Sequence, residues 1–176
     1  MMIGIIHRAI RDTRAAAAVE MALILPMAFA LLFTTMEAGY YFQTEHKAIK
    51  YVREGARYAS RNRFAYFDCS GTGALRDPAT GPTAAAMQTQ IRNVTLSGTV
   101  DGTNSRIADW EAGDITITVS CDSGYGTGLY RTLEDGAAPI VTVSTRFDYT
   151  PILGMLGFDV GNIDVVAQAQ AAVAGL

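Results

Sequence analysis

The chain has 176 residues, of which 49% are hydrophobic and 18% are charged, and its formal net charge is −3. This length predicts one small domain, and the hydrophobic content is too high for an intrinsically disordered chain. The acidic excess and the scattered basic residues argue against a nucleic-acid partner, because proteins that bind nucleic acid concentrate lysine and arginine against the phosphates.

A short basic leader precedes a long apolar run. Residues 1–15 carry three arginines and one aspartate, and every residue at positions 21–33 is apolar. About 20 apolar residues are enough to cross a bilayer as a helix. We therefore expect one transmembrane helix over residues 16–39. By the positive-inside rule the leader stays cytoplasmic, so the C-terminal bulk faces the periplasm or the cell exterior.

Two residues interrupt the apolar run. Glu20 is the single charge within residues 15–36, and a carboxylate inside a membrane costs about 2.5 kcal/mol or more, so such a residue usually has a partner and a function. Pro26 removes one helical hydrogen bond, and transmembrane helices tolerate the resulting kink. A harmless kink is one interpretation of Pro26, and a point where the helix bends on leaving the lipid is the other.

The leader, the small residue Ala15, Glu20 five residues later and the apolar helix resemble a type IV prepilin signal. Residues 18–33, AVEMALILPMAFALLF, followed by MEAGYYF at 36–42, resemble more narrowly the TadE-like family, the minor pilins or pseudopilins of the tight-adherence (Tad, Flp-type) pilus system. The resemblance implies that a prepilin peptidase cuts between Ala15 and Ala16. It also implies other pilin subunits and the Tad assembly machinery as partners, and the bacterial inner membrane as the location.

A secretory signal peptide is the alternative for this region, because the triplet AFA at 28–30 mimics a signal-peptidase site. This alternative leaves Glu20 and Pro26 inside the hydrophobic region of the signal. It also leaves unexplained the apolar residues that continue to Phe33.

The helical pattern continues beyond the apolar run. Residues 40–62 contain no proline, and small or apolar residues recur at three- and four-residue spacing over positions 48–59. This spacing predicts an apolar stripe on one helix face. One helix over residues 16–62 would be about 70 Å long, which is a pilin-like shaft.

The remainder of the chain predicts a second helix and a sheet. Glycine and proline predict a loop over residues 68–82, and residues 83–96 are helical in pattern. Three later segments alternate apolar and polar residues, and strands joined without intervening helices favour an antiparallel sheet. The strands are expected at residues 114–121, 140–149 and 163–173. The fold class is therefore α+β, with the amphipathic half of the long helix covering the sheet within a domain of residues 40–176.

Few residues are candidates for chemistry. Cys69 and Cys121 lie in the exported part, where a cysteine pair is more often a disulfide than two free thiols. A metal site is the alternative, but two cysteines without nearby histidines do not complete a zinc shell. Outside the leader His46 is the single histidine, and no nucleophile elbow, HExxH motif or phosphate-binding loop accompanies it. We expect neither catalysis nor a cofactor.

Glu20 is then the residue with a chemical role. After cleavage, the Ala16 ammonium of one subunit would meet Glu20 of its neighbour in a helical bundle and set the axial register between them. The alternative is a carboxylate that is protonated or that reaches the inner interface. The role of Glu37 stays open, and the apolar loop 150–161 would form either core under the sheet or an exposed partner surface.

The expected function is that of a minor pilin or pseudopilin in the assembly or initiation of a Tad-type (type IVc) pilus. The alternative is an uncleaved, membrane-anchored periplasmic binding or assembly module. Neither alternative names the partner proteins.

Overall fold

The computed structural model describes residues 13–71, 73–125, 128–133, 136–157 and 161–175, so most of the predicted leader lies outside the described residues. A long helix is followed by a second helix and two small antiparallel sheets, which confirms the α+β class. In chain order the elements are α1 (Thr13–Ser60), β1 (Phe67–Asp68), β2 (Ala74–Leu75), α2 (Ala84–Ser97), β3 (Ile115–Asp122), β4 (Ala138–Asp148) and β5 (Asp164–Ala172).

The predicted shaft is one continuous helix. Helix α1 has 48 residues and contains Pro26 in its interior, so the proline does not end the helix. The helix ends at Ser60, and two residues later the Asn62 side-chain amide donates to the carbonyls of Tyr58 and Ala59 at 3.1 and 3.3 Å. These carbonyls also accept from the backbone N–H groups of Arg61 and Asn62 at 3.2 Å each, so the side chain adds a second donor to carbonyls of the last helical turn.

The three predicted strands form one antiparallel sheet in the order β3-β4-β5. Strand β4 is central, with Ile115 of β3 opposite Thr145 and Val165 of β5 opposite Phe147. Helix α1 packs against β5 and β4, and α2 packs beside α1. The predicted stripe of α1 is the buried face, since Ala48, Val52, Ala56 and Ala59 are at most 1% exposed.

Trp110 lies at the centre of the core, although its sequence context carries no pattern that predicts this position. It is 2% exposed, and its ring stacks with those of Tyr51 and Phe147 at centroid distances of 6.3 and 5.5 Å. Its indole Nε1 donates to the Thr145 hydroxyl at 2.7 Å. The apolar ring of Trp110 thus has aromatic neighbours, and its polar N–H group has an acceptor, inside the domain.

The two helices approach so closely at Gly55 that no larger residue fits there. A Cβ atom added to Gly55 would lie 2.0 Å from Oγ1 of Thr95 on α2, and Thr95 is fully buried. Glycine in a helix interior costs about 1 kcal/mol relative to alanine. Here that cost is offset by the close packing of the Thr95 side chain of α2 against the backbone of α1.

The segment predicted as a loop over residues 68–82 is ordered differently. Phe67 pairs with Leu75 and Asp68 pairs with Ala74 in a short antiparallel ladder between β1 and β2. Gly73 has a φ of +92°, a conformation that other residues rarely adopt and that allows the chain to reverse. A ladder of two residues is too short to leave an alternating pattern in the sequence.

Candidate membrane anchor and helix–domain junction

The first half of α1, residues 16–39, is here called the membrane half. Most of its apolar side chains are not covered by the rest of the chain: an 18-residue window of mean hydropathy 2.2 is 0% buried. The exposed large residues are Val19, Met21, Leu23, Ile24, Leu25, Met27, Phe29, Leu31, Leu32, Phe33 and Met36. A helix that is apolar on all sides requires an apolar environment, and this one is long and apolar enough to cross a bilayer.

Glu20 and Ala16 both lie in the first turns of α1 and are exposed. Their spacing of four residues places them on the same helix face. Within the described residues Glu20 has no hydrogen-bond or ion-pair partner. Cleavage between Ala15 and Ala16 and the assembly role of Glu20 remain predictions.

Glu37, at the end of the membrane half, has the opposite environment. Its carboxylate accepts hydrogen bonds from the Tyr149 hydroxyl at 2.6 Å and from the backbone N–H groups of Ile152 and Leu153 at 3.2 and 2.9 Å. All three donors come from the end of β4 and the loop after it, more than 110 residues away in the chain. Hydrogen bonds to a charged group are the stronger ones, so Glu37 fastens the sheet to the shaft.

Tyrosines surround this bond on the domain side of Glu37. The ring of Tyr149 lies 5.9 Å from that of Tyr40 and 5.2 Å, edge-on, from that of Tyr41, and the Tyr41 hydroxyl donates to the Asp164 carbonyl at 3.4 Å. Burial, and then the hydrogen bond to Glu37, hold the pKa of Tyr149 well above its usual value. The Tyr149 hydroxyl therefore remains a donor across the physiological pH range. We call Glu37, Tyr40, Tyr41 and Tyr149 the Glu37 cluster.

The apolar loop 150–161 matches neither of its two predicted positions completely. Ile152 and Leu153 are half-buried, and they lie against Phe33 and Met36 of α1 rather than under the sheet. A short 3₁₀ turn, Leu153–Leu156, follows. The side chains of Met155 and Leu156 and the whole of residues 158–160 lie outside the description.

Arg106 makes a second connection between the shaft and the remainder of the domain. Its guanidinium pairs with Glu54 of α1 at 2.9 Å and lies 3.6 Å from the centre of the Tyr51 ring. It also donates to the carbonyls of Val94, Thr95 and Leu96 at 3.1–3.3 Å. A cation at the last turn of α2 is favourable because the helix dipole is negative there. The charge pattern of α1 alone gives no sign of a partner 52 residues away.

Residues 15–57 match the family described as TadE-like protein. This match confirms the resemblance seen in the sequence. No curated protein and no solved structure shows a significant match to the chain. The family suggests a role related to the Tad pilus, and its proteins are structural rather than enzymatic.

The TadE-like segment, residues 15–57, thus includes the membrane half, Glu37 and the buried contact at Gly55. The match ends inside α1, so the sheet and α2 lie outside it. Glu37 belongs to the TadE-like segment, and its hydrogen bonds hold the end of β4 and the loop after it, which the family match does not cover.

The two cysteines form the predicted disulfide. Cys69 and Cys121 are bonded, with their Cα atoms 5.6 Å apart, and the bond joins the segment after β1 to the end of β3. Beside it, the hydroxyl and the backbone N–H of Ser70 donate to the Asp68 carboxylate at 2.7 and 2.9 Å. These two hydrogen bonds hold the pKa of Asp68 below its usual value.

The sequence singled out two further candidates for chemistry, His46 and a metal site. His46 is exposed on α1. Among the described residues, no three of histidine, cysteine, aspartate and glutamate come together in a group suited to a metal ion. Among the contacts between distant parts of the chain are instead those that helix α1 makes through Glu37, Glu54 and Gly55.

Proposed function

We propose that this protein is a minor pilin or pseudopilin that acts in the assembly or initiation of a Tad-type pilus. Residues 1–15 are its leader, which a prepilin peptidase removes between Ala15 and Ala16. Residues 16–39 hold it in the bacterial inner membrane, and residues 40–176 form a periplasmic domain. Other pilin subunits and the Tad assembly machinery are its partners.

One observation carries this proposal above the others. Helix α1 is a single 48-residue helix whose first half is apolar and exposed and whose second half packs on an antiparallel sheet. An anchor joined to a separate binding domain needs no rigid connection between the two. A continuous helix transmits the position of the membrane half directly to the domain, which is what a subunit built around a helical shaft requires.

The exposed Glu20 supplies the contact between subunits. Cleavage creates an ammonium group on Ala16, and in a bundle of such helices the Glu20 of one subunit meets the Ala16 ammonium of another. Inside an apolar bundle an unpaired charge is heavily penalised, so breaking such a pair costs about 3 to 5 kcal/mol. The pair thereby favours one axial register over its neighbours.

The intact mass of the membrane-extracted protein tests the processing step. Loss of residues 1–15 supports the proposal. A full-length chain would instead support the uncleaved periplasmic module, and a chain that starts near residue 31 would support a secretory signal.

Replacement of Glu20 by glutamine tests the assembly role. We expect a processed, folded, membrane-retained protein in cells without pili, because the Ala16 ammonium loses its ionic partner in the bundle. Membrane insertion should be unchanged or slightly easier, because a charge that opposes insertion is removed. Glu45→Gln, in the second half of the same helix, is the matched control and should leave piliation unchanged. Normal piliation of Glu20→Gln cells, counted by electron microscopy, would refute the ion pair.

A further inference from the structure

The loop of residues 151–157, between β4 and β5, lies beside the end of the membrane half, where Ile152 and Leu153 are next to Phe33 and Met36. We propose that this loop is a second membrane contact, which places Ile152 and Leu153 in the periplasmic interface of the bilayer that α1 crosses. The inference rests on the proposed membrane anchoring of α1. It adds that the domain is held against the lipid surface at two points.

The depth of the loop follows from the length of the helix. At 1.5 Å per residue, the 20 steps from Ala16 to Met36 span about 30 Å, which is the thickness of a hydrocarbon core. Phe33 and Met36 therefore lie at the far boundary of that core. Tyr40 and Tyr41 follow directly, and tyrosines are enriched at this level of membrane proteins.

The loop reaches down to this boundary rather than stopping above it. Helical side chains tilt toward the helix N-terminus, so the Glu37 carboxylate lies beside the preceding turn, on its membrane side. The N–H groups of Ile152 and Leu153 donate to that carboxylate at 3.2 and 2.9 Å. Phe33, Met36, Ile152 and Leu153 together line a small cavity of about 50 Å³ beside Glu37.

The chemistry of the contact fits a lipid interface. Two backbone N–H groups that would be costly to bury have an acceptor in Glu37, and the charge of Glu37 has three donors. Phe33 and Met36 remain 38% and 55% exposed next to the half-buried Ile152 and Leu153. This apolar surface is continuous with the lipid-facing surface of the membrane half, so phospholipid is the occupant that covers both.

Tryptophan fluorescence in lipid vesicles tests the contact. The full-length chain is reconstituted in phosphatidylcholine vesicles that contain a mixture of lipids brominated near the headgroup end and lipids brominated near the methyl end of the acyl chains, which quench nearby tryptophan at both depths. Three single variants are compared: Leu153→Trp in the loop, Leu25→Trp in the membrane half and Leu129→Trp as the control. Leu129 is an exposed leucine whose neighbour Tyr130 packs against Phe64, past the end of α1 that is remote from the membrane. Wild-type protein supplies the baseline of the buried Trp110.

We expect the brominated lipids to reduce the emission of Leu25→Trp and Leu153→Trp, and to leave Leu129→Trp at the baseline. Ile152→Trp provides a second loop position if the first variant fails to fold. Quenching at residue 25 without quenching at either loop position would overturn the inference and leave the anchor intact. Absence of quenching at residue 25 would overturn both. Loop quenching that disappears as protein density rises would show that a second copy covers the loop, and would also overturn the lipid assignment.

Discussion

The two halves of α1 differ in how their apolar residues are arranged and in what surrounds them. Leu25 in the membrane half is 42% exposed, whereas Val52 in the domain half, residues 40–60, is fully buried. The membrane half is apolar on every face, and the domain half is apolar on one stripe with charges opposite. The arrangement of apolar residues around each half of the helix therefore indicates what covers it.

Two carboxylates extend the same comparison. Glu20 is exposed and has no partner in the described chain, whereas Glu37 has three donors from the domain. A charge without an internal partner is available to another subunit. A charge with its bonds satisfied inside the chain stabilises the subunit itself. The membrane half therefore contains one carboxylate that is bonded within the fold and one for which we propose a role in assembly.

Removal of the disulfide should produce the largest difference in stability between the domain, which packs on one half of α1, and the membrane half. The chain-entropy model gives about 4 kcal/mol for a closed loop of this length, and Cys69 and Cys121 are 52 residues apart. We expect reduction in detergent to lower the unfolding free energy of the sheet domain by about that amount, while the membrane half stays helical. A Cys69→Ser, Cys121→Ser double variant should be insensitive to reductant. Unchanged denaturant midpoints after verified reduction would contradict this expectation.

Two glycines in one helix form a matched pair. Gly55→Ala should destabilise the domain by about 2 kcal/mol, since the cost of overpacking exceeds the gain in helix propensity. Gly39→Ala should not destabilise it, because a Cβ there meets nothing within 4 Å. Denaturant unfolding of both variants measures the difference. Equal stabilities would mean that α2 moves away from α1 at no cost.

Glu37→Gln should loosen the junction by about 1 to 2 kcal/mol, because a charged acceptor is replaced by a neutral one. We expect faster hydrogen exchange at the amides of Ile152 and Leu153 and unchanged exchange in β3. Glu45→Gln is the control, since Glu45 has no hydrogen-bond partner among the described residues. Identical exchange at Ile152 and Leu153 in both variants would remove Glu37 from its role in the fold.

Tyr149 should produce the smallest effect, which appears at alkaline pH. Its pKa is raised in the folded state, so the unfolded chain loses its proton first as the pH passes about 10. The contribution of Tyr149 to the unfolding free energy is therefore fully present below that pH and declines above it. Tyr149→Phe should be less stable at neutral pH yet lose less stability between neutral and alkaline pH. Parallel pH profiles of the two proteins would show that the raised pKa makes no contribution.

Local pattern alone predicted the two helices and the three strands of the larger sheet, but not the short ladder of β1 and β2. The long helix, the second helix and the three strands follow periodicities of 3.6 and 2, which depend only on neighbouring residues. The disulfide followed from the exported position of two cysteines, and the TadE-like resemblance followed from residues 18–42. These features depend on residues that are close in sequence or unique in type.

The tertiary structure decided which distant residues meet. Glu37 binds a loop more than 110 residues away, and Arg106 binds Glu54 across 52 residues. Trp110 occupies the core from a segment without regular structure. Such contacts leave no periodic signal, because their geometry arises only when the sheet packs on the shaft. For that reason the sequence by itself located the helix and its two halves, and only the packed domain showed that Glu37 joins the helix to the loop after β4.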